Sequence, residues 1–172
     1  IIGSCGLAAA MITFIWSITN TSAAITLLCL AAMPFITALL GFLFLKETIS
    51  TNVWVTIGVA TVGLLIMAIG NHEKNTLFGF LLGMISAVGF SVFSVSLRWK
   101  KETPKFTTVA IAGLICFLVS LIVITSKDLT LFSSSKNQSL FAVHGTIVCL
   151  GMILYATASK NIQAAELTLL SL

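Results

Sequence analysis

The chain has 172 residues, with 9 Lys and Arg against 5 Asp and Glu, and a charged content of 8% leaves too little polar surface for a water-soluble globule. Its 58% hydrophobic content and mean hydropathy of +1.13 make lipid its solvent. The net charge of +4 does not point to nucleic acid, because the basic residues stand at the ends of apolar runs, where membrane topology accounts for them.

The apolar stretches are continuous and about 20 residues long, which predicts membrane-spanning α-helices rather than barrel strands, whose residues alternate over about ten positions. Seven runs are read at Ile2–Thr19, Ser22–Leu45, Val53–Gly70, Leu77–Leu97, Phe106–Thr125, Leu140–Ala158 and Ile162 onward. The loops between them are short, the longest being the polar piece Ser126–Ser139, so no soluble domain is expected. The chain opens on Ile1 and closes on Leu172 inside an apolar run, and it is expected to be a fragment of a longer protein. Cys5, Cys29, Cys116 and Cys149 all fall in apolar runs without C-x-x-C or Cys/His spacing, so neither a disulfide framework nor a metal site is predicted.

In the first run Trp16 stands near one end, where an interfacial tryptophan belt and a cavity-facing side chain are both consistent readings. The second run carries no charge over 24 residues from Ser22 to Leu45 and has Pro34 at its middle. Proline lacks the N–H that would bond the Leu30 carbonyl. It is read either as a structural kink or as the loosened point of a helix lining a central cavity, with Thr26 and Thr37 offering hydroxyls. The run stops at Lys46-Glu47, a helix-end anchor or a gate. In the fourth run Gly79, Gly83, Ala87 and Ser91 recur every four residues, a small-residue stripe that predicts close approach of another helix. That run ends in Arg98-Trp99-Lys100-Lys101, read as a topological anchor at headgroup depth or as a lipid- or partner-binding patch. His144, early in the sixth run, is a hydrogen-bonding group between helices or a proton relay. Glu166 is the only carboxylate inside an apolar run. A helix dipole at its first turn favours the charge, and the functional reading is a proton-coupling or cation-recognising acid with Tyr155, Lys160 or Ser159 as partners.

Alternate loops face the same side of a bilayer. One set then holds Lys46, Arg98, Lys100, Lys101, Lys105 and Lys160, and the other Lys74, Lys127 and Lys136, so the larger set marks the cytoplasmic side. Sliding the sequence by 142 positions superimposes Gly3 on Gly145, Ser17 on Ser159, Ala23 on Ala165, Thr26 on Thr168, and Leu27, Leu28 and Leu30 on Leu169, Leu170 and Leu172. The step from the first run to the sixth is odd, so the two copies are expected to cross the membrane in opposite senses, an arrangement recurrent in secondary transporters. In this register Ala24 falls on Glu166, which makes the two copies chemically unequal.

Taken together, the mid-membrane Pro34, the short Leu45-Lys46-Glu47 end, the hydroxyl pair Ser50 and Thr51, the aromatic Trp54 and the glycines Gly58 and Gly63 resemble the EamA domain of the drug/metabolite transporter superfamily. The resemblance implies an all-α polytopic bundle of inverted-topology five-helix repeats, ten helices in the complete protein. Residues 1–70 would be the last three helices of a first repeat, and residues 75–172 three helices of a second with the start of a fourth. It also implies cytoplasmic termini and a place in the inner or plasma membrane. The expected function is secondary transport of a small organic metabolite or drug-like solute by alternating access, coupled to protons or another ion, with the lipid bilayer as the other partner. A seven-helix receptor and a non-transporting scaffold are the alternatives. No nucleophile-histidine pair in a G-x-S-x-G setting, no P-loop lysine and no H-E-x-x-H motif is present, so no enzyme and no cofactor are predicted.

Overall fold

Inside lipid each span must satisfy its own backbone polar groups, and helices do this without help from neighbours. The computed structural model describes residues 1–46, 51, 54, 55, 57–59, 61, 62, 66, 77–99, 105–126 and 135–171, and every regular element among them is helical. The elements are α1 (Ile2–Asn20), α2 (Ala23–Ala31), α3 (Met33–Leu40) with a π-helical turn at Gly41–Leu45, α4 (Leu77–Trp99), α5 (Lys105–Ser126), α6 (Ser135–Ala158) and α7 (Ala164–Leu170). Five stretches among the described residues are long and apolar enough to cross a membrane: Ile2–Asn20, Ala23–Leu45, Leu77–Trp99, Phe106–Ser126 and Gln138–Ala158. Most of the third run, Val53–Gly70, lies outside the described residues, as do Glu47, Ser50 and Gly63. The sixth run begins earlier than its hydropathy predicts, at Ser135 rather than Leu140.

The second run is where the sequence acts most visibly on the backbone. Ser22 starts α2 by accepting a hydrogen bond from the Ile25 amide at 3.3 Å, an N-cap that covers one of the orphan donors of the first turn. The regular pattern is interrupted only at Ala32, at φ −73° and ψ −14°, and α3 resumes with Pro34 in its first turn, where a missing N–H costs nothing. The stretch Ala23–Leu45 is therefore one membrane-length span kinked ahead of its proline, which is the structural reading of Pro34. At its far end the π-helical turn closes on Lys46 at φ 54°, a left-handed residue that terminates the helix.

Side-chain contacts give each helix its direction. Against α4, α1 runs antiparallel: Gly3 meets Ser96, Gly6 meets Gly89, and Ser17 meets Gly83. The kinked span runs parallel to α4, since Cys29 meets Gly83, the Met33 carbonyl accepts from Ser91, and the Phe44 and Trp99 rings sit 5.6 Å apart. Helix α6 also runs parallel to α4, with Tyr155 bonded to Ser94 and the Ser159 carbonyl bonded to Arg98. Helix α7 turns back, antiparallel to α3, so that Thr168 meets Thr37. Hence α1 and α6 cross in opposite senses, as do the α2–α3 span and α7. The same contacts gather Lys46, Arg98 and Lys160 at one end of the bundle.

Polarity is distributed inside out relative to a soluble protein. Large apolar side chains such as Phe117, Ile122, Phe141, Ile147 and Leu154 are exposed, while Ser17, Thr26, Thr37, Ser91, Ser94, Ser159 and Thr168 show no exposed surface at all. Exposed apolar surface on this scale requires a lipid or protein covering. The buried hydroxyls meet the other demand of a membrane interior, because most bond to backbone carbonyls or to one another; Ser86, for instance, donates to the Ala10 carbonyl at 2.8 Å.

Candidate functional site: a buried hydroxyl cluster

Four elements converge near the middle of the bundle and each contributes one hydroxyl. Ser94 of α4 lies 2.7 Å from the Tyr155 hydroxyl of α6. Thr168 of α7 donates to the Ala164 carbonyl at 2.6 Å, and its oxygen lies 3.3 Å from the hydroxyls of Ser94, Tyr155 and Thr37 of α3. A threonine in a helix has its hydroxyl back-bonded to the carbonyl one turn earlier, and this fixes the rotamer that aims Thr168 at its neighbours. Phe90 and Phe93 pack on the tyrosine ring, at 5.3 Å edge-on and 6.0 Å stacked, and so hold its hydroxyl in the cluster. The Thr37 position follows from the resumption of the helix at Met33, which sets the rotation of everything downstream of the kink.

The kink itself is tied to α4. Ser91 reaches the Met33 carbonyl at 3.1 Å and its own Ala87 carbonyl at 2.8 Å, so the small-residue stripe carries a hydrogen bond to the kink as well as close packing. Gly79 and Gly83 of that stripe lie against Thr21 and Cys29, and Ala87 is fully buried. A second hydroxyl pair lies nearer the opposite end: Ser17 donates to the Gly79 carbonyl at 2.8 Å and sits 2.8 Å from Thr26.

The residues singled out in the sequence separate into two groups. Thr37 and Tyr155 join the central cluster, Thr26 the second pair, and Pro34 is buried at the kink. Trp16 is 46% exposed and points away from the bundle while its neighbour Ser17 points in, and His144 is exposed on α6. Glu166 is part-exposed on α7, two residues short of Thr168 and therefore on another face of the helix. Of its suggested partners, Tyr155 is bonded to Ser94 and the Ser159 hydroxyl to the Ala156 carbonyl at 2.8 Å, while Lys160 is exposed. Lys46 is exposed at its helix end, and Glu47 lies outside the described residues. Ser94 was not among the candidates; its signal is a hydroxyl one turn past Ser91 in a helix otherwise lined by small residues.

Beside the cluster a cavity of about 420 Å³ opens between α1, α5 and α6, lined by Leu7, Met11, Gly113, Cys149 and Met152 among others. Its walls are apolar, and no group of three or more metal-ligating side chains occurs among the described residues. Residues 1–69 match the EamA-like transporter family. No curated protein and no solved structure matches the chain. The EamA segment contains α1, the kinked α2–α3 span, Pro34 and Thr37, whereas Ser94, Tyr155 and Thr168 come from the helices beyond it. The hydroxyl cluster is thus one of the places where the EamA segment meets the rest of the bundle, beside the longer seam of α1 on α4.

Proposed function

We propose that this chain is part of a secondary transporter of the drug/metabolite type, which moves a small organic solute across the membrane by alternating access. One observation carries the proposal: Thr37 of the EamA segment and Thr168 of a helix running in the opposite direction meet in a buried hydroxyl cluster one turn past a proline kink. Helices interrupted at mid-membrane, paired across oppositely oriented halves, are a recurrent means by which transporters build a solute site and move about it. The register of 142 supports an inverted repeat, since its related pairs, Ser17 with Ser159 and Thr26 with Thr168, are all fully buried hydroxyls. Complete proteins of this design would carry ten helices, with residues 1–70 in one repeat and 75–172 in the other. The end that gathers Lys46, Arg98 and Lys160 would face the cytoplasm of a cell whose inner or plasma membrane holds the protein.

The hydroxyls suit a solute recognised by hydrogen bonds rather than by charge. Glu166 is the only acidic residue among the described ones and is the candidate for proton coupling, from a position on the edge of the cluster rather than within it. The reading is tested by reconstituting the full-length protein in liposomes and screening uptake and efflux of neutral and zwitterionic metabolites, with and without a proton gradient. Flux of at least one solute class that falls on Thr168→Val supports it. No flux of any class favours a scaffold.

A further inference from the structure

Arg98 does not act as the anchor its sequence setting suggests. It stands beside Trp99 at the end of α4, where a long cationic side chain normally reaches outward to the headgroups. Instead its guanidinium turns back into the bundle and donates to the Ile162 carbonyl at 2.6 Å and the Ser159 carbonyl at 3.4 Å. Those carbonyls belong to the turn between α6 and α7, at the C-terminal end of α6, where the helix dipole is negative and attracts a cation. Ser94 lies one turn along α4 from Arg98, and Tyr155 one turn along α6 from Ser159. Arg98 is therefore the next rung of the ladder that holds the hydroxyl cluster closed, on the side of its own end of the bundle.

The two sides of α4 differ in kind. Toward α1 the contact is backbone on backbone: a Cβ at Gly89 would fall 2.6 Å from the Gly6 carbonyl oxygen, so the pair has no room to slide. Toward α6 and α7 the contact is made by side chains, a core of Phe93, Leu97, Tyr155, Ala156 and Leu167 together with the hydroxyl bonds and the Arg98 guanidinium, and side chains have rotamers through which they can rearrange. We propose that Arg98 is the latch of the end that gathers Lys46 and Lys160, and that the α6–α7 turn swings away from α4 only when Arg98 lets go of the Ser159 and Ile162 carbonyls. This rests on the alternating-access reading for its purpose, but not for its test.

The test uses full-length protein in oriented membrane vesicles, with Cys5, Cys29, Cys116 and Cys149 replaced by serine and a single reporter, Thr168→Cys. The probe is a membrane-impermeant maleimide added from the Arg98 side. With Arg98 in place the buried reporter labels slowly. Losing a charge-assisted hydrogen bond shifts the closed-to-open ratio by about tenfold or more, so Arg98→Gln should raise the labelling rate by about that factor. Arg98→Lys, which keeps the charge but places a single ammonium on a shorter side chain, should raise it less. A second reporter, Ser17→Cys at the tight α1–α4 contact, should not change. An Arg98→Gln rate equal to that of the Arg98 parent overturns the latch, and so does an equal rise at both reporters, which is general loosening. A rise at Thr168→Cys alone keeps the latch; flux is measured separately in protein that retains Thr168, and its absence there removes the transport reading while leaving the latch standing.

Discussion

Gly89→Ala puts the packing of the bundle to a quantitative test. The added methyl would land 2.6 Å from the Gly6 carbonyl oxygen, 3.1 Å from the Ala10 amide nitrogen and 3.3 Å from its Cβ. The first two are backbone atoms and have no rotamer through which to move aside. Restoring an ordinary contact beyond 3.4 Å means parting α1 from α4 by most of an ångström, and that also stretches the Ser86 bond to the Ala10 carbonyl. Overpacking of this kind costs about 1–3 kcal/mol, against a helix-propensity gain of about 1 kcal/mol, which leaves a net loss of up to about 2 kcal/mol. Gly113→Ala on α5 is the matched control, because nothing lies within 4 Å of its added methyl and only the propensity gain applies. Thermal unfolding of the full-length protein in detergent should therefore rank Gly113→Ala at or above the parent and Gly89→Ala clearly below it. Gly89→Ala as stable as Gly113→Ala would refute the backbone-to-backbone contact.

Pro34→Ala restores the N–H that would bond the Leu30 carbonyl and should straighten the kink between α2 and α3; hydrogen exchange at Ala32 is expected to slow while solute flux falls. Tyr155→Phe keeps the ring packing on Phe90 and Phe93 and removes only the hydroxyl, so unfolding should lose about 0.6–1.7 kcal/mol, the range for hydrogen bonds between membrane helices. A larger loss would mean that the ring rather than the hydroxyl bond holds the cluster. Glu166→Gln should leave stability within about 0.5 kcal/mol, as for a part-exposed position. It should also abolish the dependence of flux on a proton gradient; an unchanged pH profile rules Glu166 out as the coupling acid.

Pattern and position carried different amounts of information in this sequence. The apolar runs, the proline and the threonines within them were legible because a polar or ring-closed residue in lipid stands out against its surroundings, and Thr37, Tyr155 and Thr26 all prove to be buried and bonded. Rotation about the helix axis was not legible. Trp16 and Ser17 are neighbours, yet one faces out and the other in, because a single residue step turns the helix by about 100°. The same ambiguity hid Ser94, whose serine on a small-residue helix reads as packing, and gave Glu166 a place near the cluster that its own face does not reach. Arg98 was misread for a related reason: a cation at a span end is an anchor when it points outward and a helix-end clamp when it points inward, and only the neighbour it finds decides between them. The Pro34 kink shows a third limit, since the sequence places the proline but not the Ser91 hydroxyl that donates to the neighbouring Met33 carbonyl from another helix.

The central claim is that the Thr37–Thr168 contact joins two bodies that must move for solute to cross. Its most direct measurement is flux through Thr37→Cys/Thr168→Cys protein in liposomes before and after oxidation, with reduction as the return step. The account predicts flux in the reduced protein, loss of flux when the two cysteines are joined, and recovery on reduction. Undiminished flux through fully cross-linked protein would contradict it.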